Sequence, residues 1–429
     1  MAISTKENPD SSALTMSVAK QKGSPLEVLL IFLKLGLSCF GGPIAHIGYF
    51  RDEFVVRRHW LDEQAYADLV ALCQFLPGPA SSQVGFSVGL MRAGYLGAAA
   101  AWTGFTLPSA ILLVLFAYGA GNLHGAIGAG LLHGLKLVAV AIVAQAVWDM
   151  ARTLCPDRER ASIAAIAALI ILFGGTSIAQ IGAIVFGALA GLWLCRNGPP
   201  SEPGHVGSNH VAVPVSRRVG IAALIVFFVL LAGLPLLRNL GAGSGAALFD
   251  AFYRSGALVF GGGHVVLPLL REAFVTPGWV GDDAFLAGYG AAQAVPGPLF
   301  TFAAYLGAVA NPPPHGVPGA VLGALLGLVG IFLPGILVLL GTLPFWDALR
   351  KKSGAQAMMC GVNAAVVGLL GAALYNPVWT SSVRVPGDFA VALTGFVLLT
   401  VWRAPPLVVV IVSAIGGVLL ALFSGQTSP

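Results

Sequence analysis

Residues 74–79 read QFLPGP and residues 293–298 read QAVPGP, and both motifs lie within long apolar stretches. A proline removes a backbone donor and disfavours helix at the residue before it, while glycine permits a turn. Each motif therefore predicts a helix that is broken or re-entrant. In a bilayer such backbone persists only where protein or an aqueous cavity satisfies its polar groups, so both motifs indicate an interior site.

The composition requires that much of the chain face lipid. Of the 429 residues, 57% are hydrophobic and 10% are charged, whereas a soluble domain carries about 25% charged residues. The net charge of +5 is small and spread over the loops, which argues against nucleic acid as a partner. The sequence therefore predicts an all-α polytopic membrane protein whose surroundings are the lipid bilayer.

Four further landmarks occur twice, in the same order as the Pro-Gly-Pro motifs. They are Phe40-Gly41-Gly42 and Phe260-Gly261-Gly262; Trp60 and Trp279, each followed by acidic residues; Leu107-Pro108 and Leu333-Pro334; and the runs 134–140 and 361–367, which set Lys136 opposite Asn363. We therefore predict two copies of one unit, at 24–195 and 244–425. Residues 1–23 are expected to form a disordered cytoplasmic tail, and 196–243 a polar linker with a connecting transmembrane helix.

Apolar length predicts about thirteen transmembrane segments, because about 20 residues cross the hydrocarbon core. The segments are 26–50, 62–93, 94–120, 125–150, 161–175, 177–195, 217–237, 244–270, 282–309, 317–345, 355–375, 387–402 and 405–423. Six segments per copy and one between them give the copies opposite orientations, the inverted-repeat plan of many secondary transporters. Two parallel copies are the alternative, which would require the connecting segment to be misassigned.

Lysine and arginine near the segment ends orient the chain, since these residues accumulate on the cytoplasmic side. Clusters at 152–160, 196–218 and 350–352 fall on one side. The N-terminus is then cytoplasmic and the C-terminus periplasmic in a bacterial inner membrane. One loop, with Arg51, Arg57 and Arg58, is predicted on the outside and disagrees with the rule. An interfacial or folded-back loop is the alternative there.

The two kinds of chain break indicate where a ligand would bind. A half-helix that begins after Pro-Gly-Pro presents free N–H groups and the positive end of its dipole, which favours an anion. The glycine motifs permit a bend or a close approach, although glycines serve helix packing equally often. The predicted substrate-binding residues are Phe40, Gly41, Gly42, Gln74, Pro77, Gly78, Pro79, Ser81, Ser82, Gln83, Lys136, Phe260, Gly261, Gly262, Gln293, Pro296, Gly297, Pro298, Thr301 and Asn363.

Few ionisable residues lie inside the predicted segments. Lys136 falls near mid-membrane, where a charge is costly and by default functional. His46 and His264 follow the glycine motifs and are candidates for proton coupling, although a lone histidine is more often a packing residue. Glu53 and Glu272, near the ends of the equivalent first segments, are further proton-coupling candidates.

The sequence predicts no cofactor, no metal site and no catalytic residue. Its five cysteines show no CxxC or Cys/His spacing, and we place no disulfide among them. There is no haem, flavin or nucleotide-binding motif and no Ser/His/Asp set, so an intramembrane enzyme is the disfavoured alternative. A channel is a further alternative, but two symmetric breaks favour alternating access between the two sides of the membrane.

The duplicated motifs resemble those of the chromate ion transporters, in particular their long-chain, two-domain members. The residues that carry the resemblance are FGGP at 40–43, Trp60, the break at 74–79, FGGGH at 260–264 and QAVPGP at 293–298. It covers about residues 26–425 and implies chromate efflux and chromate resistance by a secondary mechanism driven by the proton motive force. It also implies oppositely oriented halves. The copies differ at Gly263, where the first has Pro43, and at Asn363, where the first has Lys136.

Two questions stay open at the level of the sequence. Chromate and sulfate share shape and charge, so spacing and charge do not separate chromate from sulfate or another tetrahedral oxyanion. The oligomeric state is also open, with a homodimer as one option.

Overall fold

The computed structural model describes residues 23–40, 42–120, 125–174, 177–195, 215–241, 243–260, 263–311, 316–349 and 352–424. Within these ranges every regular element is a helix, which confirms the all-α prediction. Three glycines of the glycine motifs (Gly41, Gly261 and Gly262) lie outside the described residues, as do most of the predicted N-terminal tail and most of the polar linker.

The first copy begins with short helices and continues with longer ones. Its helices are α1 (Pro25–Ser38), α2 (Gly42–Arg51, continued by a π-helical turn at Asp52–Arg57), α3 (Glu63–Phe75), α4 (Ala80–Ala120), α5 (Gly125–Leu154), α6 (Arg158–Gly174) and α7 (Ser177–Leu194). Ser24 and Asp62 cap α1 and α3 through side-chain oxygens that accept N–H bonds of 3.0 and 2.7 Å from the first turns. Ser216 caps the connecting helix α8 (Arg217–Asn239) in the same way.

The second copy follows the same order of short and long helices. Its helices are α9 (Ser244–Ala257), α10 (Val266–Phe274, after a 3₁₀ turn at Gly263–Val265), α11 (Asp282–Ala294), α12 (Phe302–Val309, after a 3₁₀ turn at Leu299–Thr301), α13 (Gly316–Thr342), α14 (Trp346–Leu349), α15 (Ser353–Ala373), α16 (Thr380–Ser382), α17 (Pro386–Thr400) and α18 (Pro406–Ser424). α1 and α9 have 14 residues each, and α3 and α11 have 13 each. The breaks therefore recur at the same points of both copies.

Six helical stretches of the described chain are long and apolar enough to cross a membrane. They are Ala80–Gly119, Gly125–Leu154, Arg217–Arg238, Pro318–Phe345, Ser353–Ser382 and Pro406–Phe423. These helices confirm a polytopic membrane protein, since the bilayer must cover large exposed apolar side chains such as Phe228 on α8 and Phe423 on α18. The expected count of thirteen transmembrane segments is not confirmed.

Two stretches of the first copy that were expected to be single spans are each divided into two arms. α1 ends at Ser38 and α3 ends at Phe75, and the chain turns back after each break. Trp60, which follows α2, lies 4.7 Å from the guanidinium of Arg92, and the Gly23 N–H donates to the Arg92 carbonyl over 3.1 Å. The loop after α2 therefore lies at the same end as the start of α1.

This arrangement corrects two predictions. The segments 26–50 and 62–93 do not continue in one direction through their predicted breaks but turn back there, and the loop that contains Arg57 and Arg58 is not on the side opposite the start of α1; the folded-back alternative is the one observed for this loop. The physical reason is that a proline or glycine break ends a helix without fixing the direction of the next arm. Packing against Arg92 and Glu27, which are 3.3 Å apart, sets that direction here.

The second copy folds back in the same way. The Trp279 carbonyl accepts a 2.9 Å hydrogen bond from the N–H of Asn311, just as Trp60 lies beside Arg92. The indole of each tryptophan packs on a phenylalanine of the preceding arm, with ring centroids 5.2 Å apart for Phe54–Trp60 and 5.7 Å for Phe274–Trp279. The stretches 244–270 and 282–309, also expected as single spans, are therefore divided as well.

Helix α4 contains a sharp reversal between a short arm, 80–92, and a long arm, 95–120. Gly94 has φ +67°, a conformation that glycine adopts without strain. A side chain on Gly89 would collide with the carbonyl of Gly97, so the two arms pack backbone to backbone. Gly307 on α12 and Gly323 on α13 make the same close approach in the second copy.

The last helices of the two copies are exchanged. α18 of the second copy packs along α5 of the first, and α7 of the first packs along α15 of the second. Glycines make both crossings close: Gly134 lies against the backbone of Ser413, and Gly361 lies against the backbone of Gly187. Each copy therefore completes the core of the other.

Candidate anion site at the crossed chain breaks

The four chain breaks meet in reciprocal pairs. The N–H of Gly78, in the first Pro-Gly-Pro, donates to the carbonyl of Val259 over 2.8 Å, and the N–H of Gly297, in the second, donates to the carbonyl of Cys39 over 2.9 Å. Val259 and Cys39 directly precede Phe260 and Phe40 of the glycine motifs. Each proline break is therefore bound to the glycine break of the other copy.

The two central glycines leave no room for a side chain. Gly78 and Gly297 have φ +116° and +104°, and an added Cβ would lie 2.9 Å from Cα of Gly335 or 2.8 Å from Oγ of Ser109. Ser109 and Gly335 directly follow the paired prolines of α4 and α13, Pro108 and Pro334. The proline-bearing crossing helices thus enclose the breaks of the opposite copy.

Polar side chains follow the first Pro-Gly-Pro and are buried. Ser81, Ser82 and Gln83 are 2%, 6% and 1% exposed. The Gln83 amide donates to the carbonyls of Pro77 and Gly335, at 2.9 Å each, so it holds the turn closed. The hydroxyl of Ser82 and the amide oxygen of Gln83 have no hydrogen-bond partner among the described residues. Ser82 is therefore a hydroxyl that a ligand could use.

The second Pro-Gly-Pro is satisfied locally instead. The hydroxyl of Thr301 is buried and donates to the carbonyl of Pro298 over 2.7 Å. Gln293, before this break, has a side-chain nitrogen without a partner among the described residues, whereas its counterpart Gln74 is exposed. The predicted site residues around the breaks are thus brought together, but only some of them have free polar atoms.

Both histidines lie beside the breaks. The Nδ1 atom of His46 is 3.4 Å from the hydroxyl of Ser81, and its Nε2 atom is buried without a partner among the described residues. Nδ1 of His264 is 2.8 Å from the hydroxyl of Tyr289. His46 therefore contacts the predicted anion-binding segment directly, while His264 contacts α11.

The two glutamates are not at the breaks. Glu53, in the π-helical turn after α2, accepts from Arg58 over 2.6 Å and from Arg57 over 2.9 Å. Burial raises its pKa, but the two guanidinium groups outweigh this and hold the pKa of Glu53 below its usual range. An ionised, doubly paired carboxylate suits a structural anchor better than a proton carrier. Glu272 accepts from the hydroxyl of Thr276 over 3.0 Å on an exposed face.

Lys136 is buried and has a partner that the sequence did not reveal. Its ammonium donates to Asp283, in the first turn of α11, over 2.8 Å; the lysine is 8% exposed. One turn earlier on α5, Nε2 of His133 lies 2.7 Å from Asp388 of α17, which is 2% exposed. No local pattern could have paired residues 147 and 255 positions apart. The counterpart of Lys136, Asn363, has a side-chain oxygen that finds no partner in the described part of the chain.

A cavity of about 560 Å³ opens beside the first glycine break. Phe40 and Tyr49 line one wall, and the C-terminal part of α5 lines another with Asp149 and Arg152. The turn between α17 and α18 contributes Arg403. Two arginines and one aspartate give the cavity a positive balance, which suits an anion. The sequence did not predict this cavity, because its walls come from both copies.

An all-helical membrane protein whose buried core contains non-helical, hydrogen-bonded backbone is typical of membrane transporters. The family model of the chromate transporters matches residues 26–192 and 246–418, so this chain belongs to the chromate transporter family.

Three relatives are similar to this chain over most of their length and of its own. The chromate transport protein of Pseudomonas aeruginosa is 28% identical over 433 residues, which cover 97% of each chain. That of Cupriavidus metallidurans is 24% identical over 92% of this chain and 93% of its own. An uncharacterized transporter of Methanocaldococcus jannaschii is 25% identical over 81% of this chain and 83% of its own. No solved structure matches.

Proposed function

We propose that this protein is a secondary transporter that exports chromate from the cytoplasm and thereby confers chromate resistance. The reciprocal bonds of Gly78 with Val259 and of Gly297 with Cys39 carry the proposal, because they bring both pairs of breaks to one place. Membership of the chromate transporter family supplies the substrate class. One chain already contains both copies of the site, so the proposal needs no second subunit.

The chemistry around the breaks supports an anion as the substrate. A helical arm begins directly after each Pro-Gly-Pro, so free N–H groups and a positive dipole end are available there. Ser82 offers a free hydroxyl within the same segment. In the proposal Lys136 supplies the full charge once its bond with Asp283 has opened. The cavity beside Phe40 gives the anion its cytoplasmic approach.

The proposed topology is an inverted repeat. Four of the thirteen predicted segments become folded-back arms, and the membrane-crossing helices are then the long arm of α4 together with α5, α6, α7, α8, α13, α15, α17 and α18. The folded-back loop brings Arg57 and Arg58 to the side of the start of α1, and Arg152 and Arg403 line one cavity. These four arginines thus lie on one side, which supports a cytoplasmic N-terminus and a periplasmic C-terminus in the inner membrane.

The transport cycle in this proposal is alternating access with proton exchange. Export of an anion from a negative-inside cell is favoured by about 2.3 kcal/mol per charge per 100 mV, and inward proton movement adds to this force. His46, beside Ser81, is the first proton carrier to test, and His264 is the second.

Chromate flux into inside-out proteoliposomes, measured with imposed pH and voltage gradients, tests substrate, direction and coupling together. The proposal predicts flux that needs the protein, rises with both gradients and is only partly inhibited by sulfate. Sulfate flux that exceeds chromate flux would make the protein a transporter of another oxyanion. Flux that is independent of the pH gradient would contradict proton-coupled transport.

A further inference from the structure

Two polar contacts join α5 of the first copy to helices of the second copy, one turn apart. Lys136 binds Asp283 of α11 over 2.8 Å, and His133 binds Asp388 of α17 over 2.7 Å. The second carboxylate oxygen of Asp388 accepts from the backbone N–H groups of Arg384 and Val385, at 2.9 and 3.1 Å. Asp388 is thus fixed at the start of α17, and α5 is held between two helices.

The cavity lies farther along the same helix. Its α5 residues run from Gln145 to Arg152, which are 9 to 16 positions beyond Lys136. At 1.5 Å per residue the two regions are separated by roughly 14 to 24 Å along the helix axis. The structure is therefore open at one end of α5 and joined by polar contacts at the other.

The Lys136–Asp283 contact has the character of a boundary between protein and water. The side chain of Lys136 is 10% exposed and that of Asp283 is 70% exposed. A carboxylate that is largely exposed would be costly in hydrocarbon, so its face of the protein must reach water. The side chain of Lys136 is thus buried, whereas the carboxylate that it binds is exposed.

The two copies differ at these positions. His133 and Lys136 correspond to Cys360 and Asn363, and the side-chain oxygen of Asn363 has no partner among the described residues. Within the described residues, no ion pair equivalent to those of α5 is therefore formed by Cys360 and Asn363. A gate that closes only one end of the transport pathway requires residues that differ between the two copies in this way.

We propose that the Lys136–Asp283 and His133–Asp388 contacts are the periplasmic gate of the transporter, closed in this inward-facing state. The proposal rests on the proposed function and adds how the gate opens. Asp283 binds the ammonium of Lys136, which an outgoing oxyanion would otherwise bind. The substrate dianion competes with this carboxylate for Lys136, and release of Asp283 separates α11 from α5 on the outer side.

Cysteine labelling tests the gate without any chromate. Ala45, which lines the cavity, is changed to cysteine after the partly exposed thiols Cys155, Cys195 and Cys360 are changed to serine; the buried native Cys39 and Cys73 remain. A membrane-impermeant maleimide is added to one side of the membrane at a time. The parent without A45C gives the background.

The parent with A45C is expected to react from the cytoplasmic side only. Asp283→Asn or Lys136→Gln should raise labelling from the periplasmic side at least fivefold. The matched control, Asp282→Asn, alters the neighbouring carboxylate, which pairs with Arg271 instead, and should leave labelling unchanged. The double exchange Lys136→Asp with Asp283→Lys should restore protection, which would show that labelling of the single variants comes from loss of this ion pair and not from loss of either residue alone.

Periplasmic labelling that stays at background in both single variants would overturn the gate, and so would equal opening by Asp282→Asn. Chromate flux in the parent is measured separately. If labelling changes as expected but the parent shows no chromate flux, the gate is supported and chromate is rejected as the substrate. Normal flux with unaltered labelling would reject the gate alone.

Discussion

The two copies share one framework but not one set of charges. In the first copy Arg51, at the end of α2, binds Glu63 at the start of α3 over 2.6 Å. In the second copy Arg271, in the last turn of α10, binds Asp282 at the start of α11 over 3.0 Å. The ionic contact of Lys136, by contrast, has no counterpart at Asn363. Positions that carry the same charge in both copies therefore stabilise the shared framework. Positions that differ between the copies, such as Lys136 and Asn363, can give the proposed cytoplasmic and periplasmic ends of the protein different properties.

The largest effect should come from the paired glycines of the breaks. Gly78→Val and Gly297→Val force a side chain into a left-handed conformation and against Gly335 or Ser109, so each should cost about 3 kcal/mol or more and abolish chromate efflux. Efflux and thermal unfolding are the measurements. Gly119→Ala, where a Cβ meets open space, is the control. Tolerance in one copy only would break the equivalence of the two breaks.

The next largest effect should distinguish Lys136 from Asn363, the equivalent positions at which the two copies differ. Lys136→Ala should lower chromate efflux by roughly 10- to 100-fold, because a charge-assisted hydrogen bond contributes about 1.5–3 kcal/mol. Asn363→Ala removes a neutral group and should lower it by no more than about tenfold. Initial rates in proteoliposomes at equal protein density measure both. Equal losses would show that the copies contribute alike to substrate binding.

A smaller effect distinguishes the two segments after Pro-Gly-Pro. Ser82→Ala should raise the KM for chromate by about fivefold and leave the melting temperature unchanged, since its hydroxyl has no partner among the described residues. Thr301→Val should lower the free energy of unfolding by about 1 kcal/mol, because it removes the bond to the carbonyl of Pro298. A loss of stability in Ser82→Ala together with a higher KM in Thr301→Val would contradict this difference.

The smallest effect concerns the paired arginines. Arg51→Gln should leave stability at its original value, because both partners of its ion pair are about half exposed or more. Arg271→Gln removes a less exposed pair and should cost at most about 1 kcal/mol. Unfolding at low and high salt checks both, and a large, salt-independent loss in either would give that pair a different role.

The sequence predicted the positions of the breaks and the helical nature of the stretches around them, because proline and glycine act locally. It left open whether the chain crosses or folds back after α1 and α3, since that direction depends on contacts such as Trp60 with Arg92. It placed Lys136 correctly inside an apolar helix, which is a local property. It did not pair Lys136 with Asp283, at the start of the predicted segment 282–309, because only tertiary packing brings the two together.

The exchange of α7 and α18 between the copies has a consequence for biosynthesis. Gly134 of α5 leaves the ribosome roughly 280 residues before Ser413 of α18, the residue that covers it. At about 5–20 residues per second, its backbone waits roughly 15 to 55 s for that partner. During this time the nascent chain must rest in lipid, or beside an insertion factor, with the glycine face of α5 uncovered. Loss of the last helix would make that transient exposure permanent and should expose the truncated protein to quality-control proteolysis.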